Sequence, residues 1–250
     1  MKKLEFTFKN AAGEELAGLL ELPENPKAFA LLAHCFTCGK DLKGAARIAR
    51  KLTENAIAVL RFDFTGLGNS EGDFSNTNFS SNISDLLCAV DYLRRQYEAP
   101  SLLIGHSLGG SAILSIAGEV PEAKAVVTIG SPGELTHVKR LFKDDVENIN
   151  QHGAYPVELA GRVFTLKKQM LDNIQEHKIA HKVFAMNKPL LIFHAAEDDT
   201  VLIEQAEKIF KAAKHPKSFI SLGKADHLLT HAQDAEYVAD IIISWSECYL

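Results

Sequence analysis

The sequence predicts an α/β fold with a mostly parallel central sheet covered by helices on both faces. Three observations carry this. From residue 28 onward, short apolar runs alternate with amphipathic stretches, the signature of strands joined by crossover helices. The runs AFALLAH (28–34) and AIAVLRFD (56–63) are almost continuously apolar, as strands buried on both faces are. Finally, 250 residues at 46% hydrophobic content supply one sizeable core, so residues 1–250 are expected to form a single domain.

The elements follow in order. KLEFTFK (3–9) alternates like a strand, and ELAGLLEL (15–22) is its hairpin partner across the turn residues NAAG. Pro23 and Pro26 end that run. The buried strand 28–34 leads to a helix over 42–54, with Leu42, Ala45, Ile48, Ala49 and Leu52 on one face. Strand 56–63 follows. A second helix is expected over 82–95, with Asn82 or Ser81 as its cap and Asp85 in its first turn. Strand 101–104, a helix rich in small side chains over 108–117, and strand 123–130 continue the rhythm. Strand 189–196, helix 203–213, strand 218–222 and a closing helix over 234–250 complete it.

Residues 131–188 interrupt the pattern and are too long for a crossover loop. They follow the sixth strand as a small insertion, expected to act as a lid or cap, with plain decoration of the sheet end as the alternative. Within it HVKRLFKDDVENI looks helical, PVELAGRVFTL looks like a hairpin, and QMLDNIQEHK is a second helical run.

Composition narrows the function classes. The net charge is −5, which argues against a nucleic-acid surface. The start, MKKLEFTFKN, lacks the apolar stretch of a signal peptide, and no window approaches the apolar length of a spanning helix. A cytoplasmic protein without membrane attachment is expected, as a monomer or homodimer. Four cysteines are present: Cys35, Cys38, Cys88 and Cys248. Cys35 and Cys38 form a C-x-x-C, a spacing used in redox and metal sites. The second close pair of a four-cysteine zinc site is missing, so two free loop cysteines are the plainer expectation.

Chemistry concentrates at LIGHSLGG (103–110). Its core is Gly-x-Ser-x-Gly, as Gly105-His106-Ser107-Leu108-Gly109. It follows a strand and precedes a helix, the context of a nucleophile elbow. Glycines at 105 and 109 let the backbones approach there, and Gly110 lets the helix pack on the sheet. Ser107 is therefore the candidate nucleophile. A hydroxyl needs a base to remove its proton, and His227, just after strand 218–222, fits; His231 falls in the helix-like continuation. The base needs a carboxylate to fix its tautomer. Of Glu197, Asp198 and Asp199, Asp198 has the best position beyond strand 189–196. An oxyanion hole needs two N–H donors, for which Leu108 and Phe36 are the candidates. Phe36 and His106 are the candidate substrate-binding residues beside the nucleophile. Phe64, Phe74 and Phe79 lie in predicted loops at the same end. No metal or organic cofactor is called for.

With HCFTCGKD, RFDFTGLGNSEG, GHSLGG, FHAAEDDTV and GKADHLLT in hand, the sequence resembles the α/β-hydrolase superfamily over nearly its whole length. HCFTCGKD, RFDFTGLGNSEGDFSNTNFSSN and HPKSFISLGKADHLLT together look like the bacterial hydrolases often fused to an OsmC-like peroxidase domain. With the chain ending at Leu250, no such partner is expected. The resemblance implies the same triad of Ser107, Asp198 and His227, and the same oxyanion donors. Two positions depart from the common pattern: His34 is followed by Cys35, and His194 by Ala195, where the superfamily often has His-Gly.

The expected reaction is hydrolysis of small to medium acyl esters through an acyl-enzyme on Ser107, as in a carboxylesterase. A thioesterase, amidase, peptidase or perhydrolase would use the same triad, a C–C bond hydrolase is a further alternative, and a non-catalytic hydrolase-like binding protein is the competing class.

Overall fold

The computed structural model describes residues 1–159 and 161–250. Position 160, inside the stretch expected as a hairpin, lies outside the described residues. Among them, eight strands form one sheet: β1 (Lys2–Lys9), β2 (Glu15–Leu22), β3 (Ala28–Ala33), β4 (Ile57–Phe62), β5 (Leu102–His106), β6 (Ala125–Ile129), β9 (Leu190–His194) and β10 (Lys217–Ser221). Their spatial order is β1-β2-β4-β3-β5-β6-β9-β10. β1 pairs antiparallel with β2, and β2 antiparallel with β4; the other pairs are parallel.

The period-2 geometry of a strand separates two cores. Phe29, Leu31 and Ala33 of β3 face one core, and Ala28, Ala30 and Leu32 face the other. The second core is closed by α1 (Lys43–Glu54) and α8 (Ala232–Ser246) through Ile48, Leu52, Val238 and Ile242. Each such side chain contributes about 1.5–3 kcal/mol when fully buried. The first core is closed by α2 (Phe79–Gln96) and α3 (Leu108–Ile116), with α7 (Glu204–Ala212) beside β9 and β10.

Helix α2 begins one turn earlier than the sequence suggests. Its cap is Asn78, whose side chain accepts from Ser81 N–H while Ser81 Oγ accepts from Asn78 N–H. Such a reciprocal cap explains why the helix extends back past Ser81. Asp85 is consequently buried in mid-helix, where it accepts from Thr65 N–H at 3.0 Å and Thr65 Oγ at 2.8 Å. Phe79 sits on the helix, not in a loop.

The insertion has its own order. The single helix expected near 137–149 is a 3-10 turn, Leu135–Phe142, followed by α4 (Val146–His152). Strands β7 (Ala154–Leu159) and β8 (Arg162–Lys167) pair antiparallel as a separate two-stranded sheet. Then come α5 (Lys168–Glu176) and a helix the sequence reading lacked, α6 (Ile179–Ala185). Its Ile179 and Val183 are buried, but two anchors in seven residues leave little periodicity to detect. Among the described residues, no helix is long and apolar enough to cross a membrane.

Candidate active site

The parallel strands deliver their C-terminal ends to one edge of the sheet, and the candidate residues sit just beyond them. Ser107 follows β5 directly, at φ 55° and ψ −128°. That left-handed φ is costly for a side-chain-bearing residue and is held by its surroundings. Ser107 N–H donates to Ile129 O at 2.8 Å, pinning the turn to β6. The flanking glycines are required by space. A Cβ on Gly105 would lie 2.6 Å from Gly109 O, and one on Gly109 would lie 2.7 Å from Ala33 O.

Three side chains converge. Ser107 Oγ–H donates to His227 Nε2 at 3.0 Å, and His227 Nδ1–H donates to Asp198 Oδ2 at 2.7 Å. These residues are 120 and 29 positions apart in the chain. Asp198 Oδ1 accepts from Thr200 N–H at 3.0 Å and Val201 N–H at 2.9 Å, which fixes the carboxylate plane. Burial pushes the Asp198 carboxyl up, but the hydrogen bond and charge of His227 outweigh it and hold it below the usual carboxylate range. The acid is therefore ionised where it meets the imidazole. His231 lies at the start of α8, outside this chain of bonds.

Phe36 and Leu108 line one narrow cavity with His34, Cys35, Phe64 and Gly109. Leu108 is the first residue of α3, where backbone N–H groups lack intrahelical acceptors. Phe36 lies in the loop after β3, against the first turn of α3. Phe36 and the first turn of α3 thus lie side by side, with Leu108 next to Ser107 in the chain.

His106 is not placed as expected for a substrate-binding residue. Its ring is buried and turned away from Ser107, toward Leu32, Ile48, Leu228 and Leu229. Alternation along β5 forces this, because neighbours on a strand point to opposite faces. Its Nε2–H donates to His227 O at 2.7 Å. Burial, followed by the charge of His227, lowers its pKa to about 3. His34 and His194 are likewise buried, and desolvation lowers the pKa of each.

The predicted aromatic lining divides. Phe64 packs on His34 and Phe62, and Phe79 on His177. The Phe36 ring meets Phe74 in a tilted contact at 5.5 Å, and Phe74 meets Phe164 of β8 at 4.9 Å. Phe164 joins this aromatic series without having been singled out in the sequence, because the insertion carries no motif tying it to the Phe36 loop. Its neighbour Arg162 lies over the Phe164 ring and donates to Thr37 O, so the β7–β8 hairpin is fastened to the loop that holds Phe36.

That loop departs from expectation in a second way. Cys35 and Cys38 are bonded as a disulfide, not free. The turn brings them within range: Cys38 N–H donates to Cys35 O at 3.2 Å, and their Cα atoms are 5.3 Å apart. A buried ionic cluster supports the loop from below. Lys40 N–H donates to Asp63 Oδ1 at 2.6 Å, Lys40 Nζ approaches Asp63 at 3.3 Å, and Arg61 pairs with Glu21 at 2.6 Å and donates to Lys40 O.

Comparison with known proteins agrees with this arrangement. Residues 24–144 match the family described as serine aminopeptidase, S33. The esterase domain of a Rhodothermus marinus protein is 45% identical, with a TM-score of 0.81 over 100% of this chain and 99% of that one. Est1E of Butyrivibrio proteoclasticus, solved with ferulic acid bound, shares the fold at 21% identity, with a TM-score of 0.78 over 98% of both chains. The mitochondrial palmitoyl-protein thioesterase ABHD10 of Bos taurus is 26% identical over 58% of this chain and 48% of its own length. The chain thus spans about half the length of the curated relatives it first matches.

Proposed function

The chain belongs to the α/β-hydrolase superfamily, and from that premise we propose that it is a serine hydrolase, a carboxylesterase cleaving small to medium acyl esters through an acyl-enzyme on Ser107. The observation that carries the reading is the bonded series from Ser107 through His227 to Asp198, at 3.0 and 2.7 Å, on a nucleophile held at φ 55°.

The chemistry runs as the geometry directs. His227 Nε2 takes the Ser107 proton as Oγ attacks the ester carbonyl. Asp198 stabilises the imidazolium and keeps its Nδ1–H pointed inward. The N–H groups of Phe36 and Leu108 receive the oxyanion; removing one such donor costs about 3–4 kcal/mol of transition-state stabilisation. His227 then protonates the leaving alcohol, and water activated by the same imidazole releases the acid.

Ester cleavage is favoured because the 45% identical relative, aligned over the whole chain, is described as an esterase domain. A thioesterase is the second reading, since the 26% identical curated relatives are palmitoyl-protein thioesterases. The narrower resemblance to hydrolases often fused to OsmC-like domains is carried by the sequence motifs HCFTCGKD, RFDFTGLGNSEGDFSNTNFSSN and HPKSFISLGKADHLLT alone.

A rate screen of p-nitrophenyl esters of rising acyl length, beside matched acyl thioesters and anilides, tests the proposal. Esters of short and medium chains are expected to turn over fastest, with a fluorophosphonate labelling Ser107 stoichiometrically. Undiminished turnover in Ser107→Ala would overturn the mechanism, and a thioester preference would select the second reading.

A further inference from the structure

We infer that Cys35 and Cys38 form a reversible thiol–disulfide switch, worked by dithiol reductants and disulfide oxidants, that sets the turnover of the active site by fixing or releasing the oxyanion loop. The inference rests on the serine-hydrolase reading above.

The bond encloses two residues, and each does something at the site. Phe36 carries a candidate oxyanion N–H, and its ring leans on Phe74. Thr37 O receives Arg162 from the β7–β8 hairpin. The peptide that presents Phe36 N–H is clamped at its start, where Cys35 O accepts from His34 Nδ1–H at 2.7 Å and from Cys38 N–H at 3.2 Å. The disulfide closes the same turn covalently. Beyond it the chain is anchored independently by Lys40 on Asp63. Opening the bond therefore frees only the short segment between two fixed points. The fold stays, and the donor loses its preorganisation.

Access to the two sulfurs is unequal. Cys35 is buried, whereas Cys38 is half-buried. A reducing thiolate attacks Cys38 Sγ, the S–S bond breaks, and Cys35 leaves as a thiolate that takes up a proton. A second thiol, in the same dithiol molecule, then attacks the mixed disulfide. It releases Cys38 as the thiol and leaves with its own new S–S bond. Two electrons pass to the cysteine pair, and the dithiol becomes a disulfide; an oxidising disulfide reverses each step. The other two cysteines are free thiols outside this loop, Cys88 in α2 and Cys248 at the exposed C-terminal end.

The test uses protein carrying Cys88→Ser and Cys248→Ser, equilibrated in oxidised or reduced dithiothreitol, trapped with N-ethylmaleimide and weighed intact. kcat and KM for p-nitrophenyl acetate are read from the same samples. Reduction is expected to add two maleimides, lower kcat about tenfold by loosening one oxyanion donor, and leave KM within about twofold; reoxidation restores both readouts. Cys35→Ser/Cys38→Ser in that background is expected to hold the lower kcat in either buffer. Complete reduction with unchanged kcat, or failure to trap any disulfide under oxidising conditions, overturns the switch while ester turnover persists. Absence of turnover in both states overturns the serine-hydrolase reading and the switch with it.

Discussion

The imidazole of His106 lies 5.0 Å from that of His227, centroid to centroid, and donates a 2.7 Å hydrogen bond to the His227 backbone carbonyl. The residue before Ser107 thus holds the His227 loop from beneath. His106→Phe keeps the ring and deletes the donor. It is expected to cost about 1–3 kcal/mol in stability, because a buried carbonyl loses its partner, and to lower kcat more than it raises KM. Chemical denaturation beside steady-state kinetics checks both; an unchanged denaturation midpoint with a full kcat sinks the idea.

The same histidine makes stability fall in acid. Its folded pKa is about 3 against an ordinary value of 6.5. Between those values the unfolded chain binds a proton that the folded chain refuses. The contribution is whole above pH 6.5 and is lost as pH falls toward 3. At pH 5 the loss from His106 alone amounts to about 2 kcal/mol, and the lowered His34 and His194 add in the same direction. Unfolding free energies measured from pH 8 to pH 5 should decline, with a shallower decline in His106→Phe. Equal slopes in the two proteins would remove His106 as the cause.

Asp198→Asn should separate fold from chemistry. Two backbone N–H groups, from Thr200 and Val201, converge on Oδ1, so the amide oxygen of an asparagine is held there. Its NH2 then faces His227 Nδ1 and forces the tautomer with Nε2–H toward Ser107, which cannot accept the serine proton. kcat is expected to fall roughly 10³–10⁴-fold with KM little changed. Activity within about tenfold of the parent would show that Asp198 does not set the tautomer.

Legibility in the sequence followed the physical reach of each signal. The central strands β3, β4, β5, β6 and β9 were readable because burial on both faces demands unbroken apolar runs, and β1 because an exposed strand alternates. The elbow was readable because close backbone approach demands glycine at 105 and 109. Bringing Ser107, Asp198 and His227 to one edge follows from parallel strands, whose C-terminal ends coincide. By contrast, the inward turn of His106 depends on which face of β5 meets α1 and α8, and no local pattern records that. The Cys35–Cys38 bond depends on loop closure, and the approach of Phe164 to Phe74 on how an insertion docks. The first is a local turn whose closure the C-x-x-C spacing permits without dictating, and the second is set by tertiary geometry.

Asp63 ties the loop that holds Phe36 to the next loop along the edge. It accepts from Lys40 N–H and from Asn69 N–H at 3.1 Å, with Lys40 Nζ beside it. Asp63→Ala strands two N–H groups and leaves the Lys40 ammonium with Asp41, at 2.8 Å, as its remaining partner, at an expected cost of about 1–3 kcal/mol. Asp63→Asn keeps an acceptor and should cost less, while still lowering kcat through the loosened loop. Urea midpoints and initial rates for both variants test this; equal stability in Asp63→Ala and the parent contradicts the clamp.

Arg162 offers the last test, of the insertion as a cover over the site. Its guanidinium spans from the Phe164 ring to Thr37 O, yet the residue itself is exposed. An exposed contact of this kind contributes little to global stability, so Arg162→Ala should leave the denaturation midpoint nearly unchanged. Its effect belongs to substrate handling. With the hairpin no longer fastened to the Phe36 loop, the aromatic series Phe36–Phe74–Phe164 is expected to lose its outer member, and long acyl chains to gain room. If the hairpin covers the acyl side, the ratio of kcat/KM for eight-carbon over two-carbon p-nitrophenyl esters should rise several-fold. Phe164→Ala should move it the same way. An unchanged ratio in both variants would mean that the insertion decorates the sheet edge without contacting substrate.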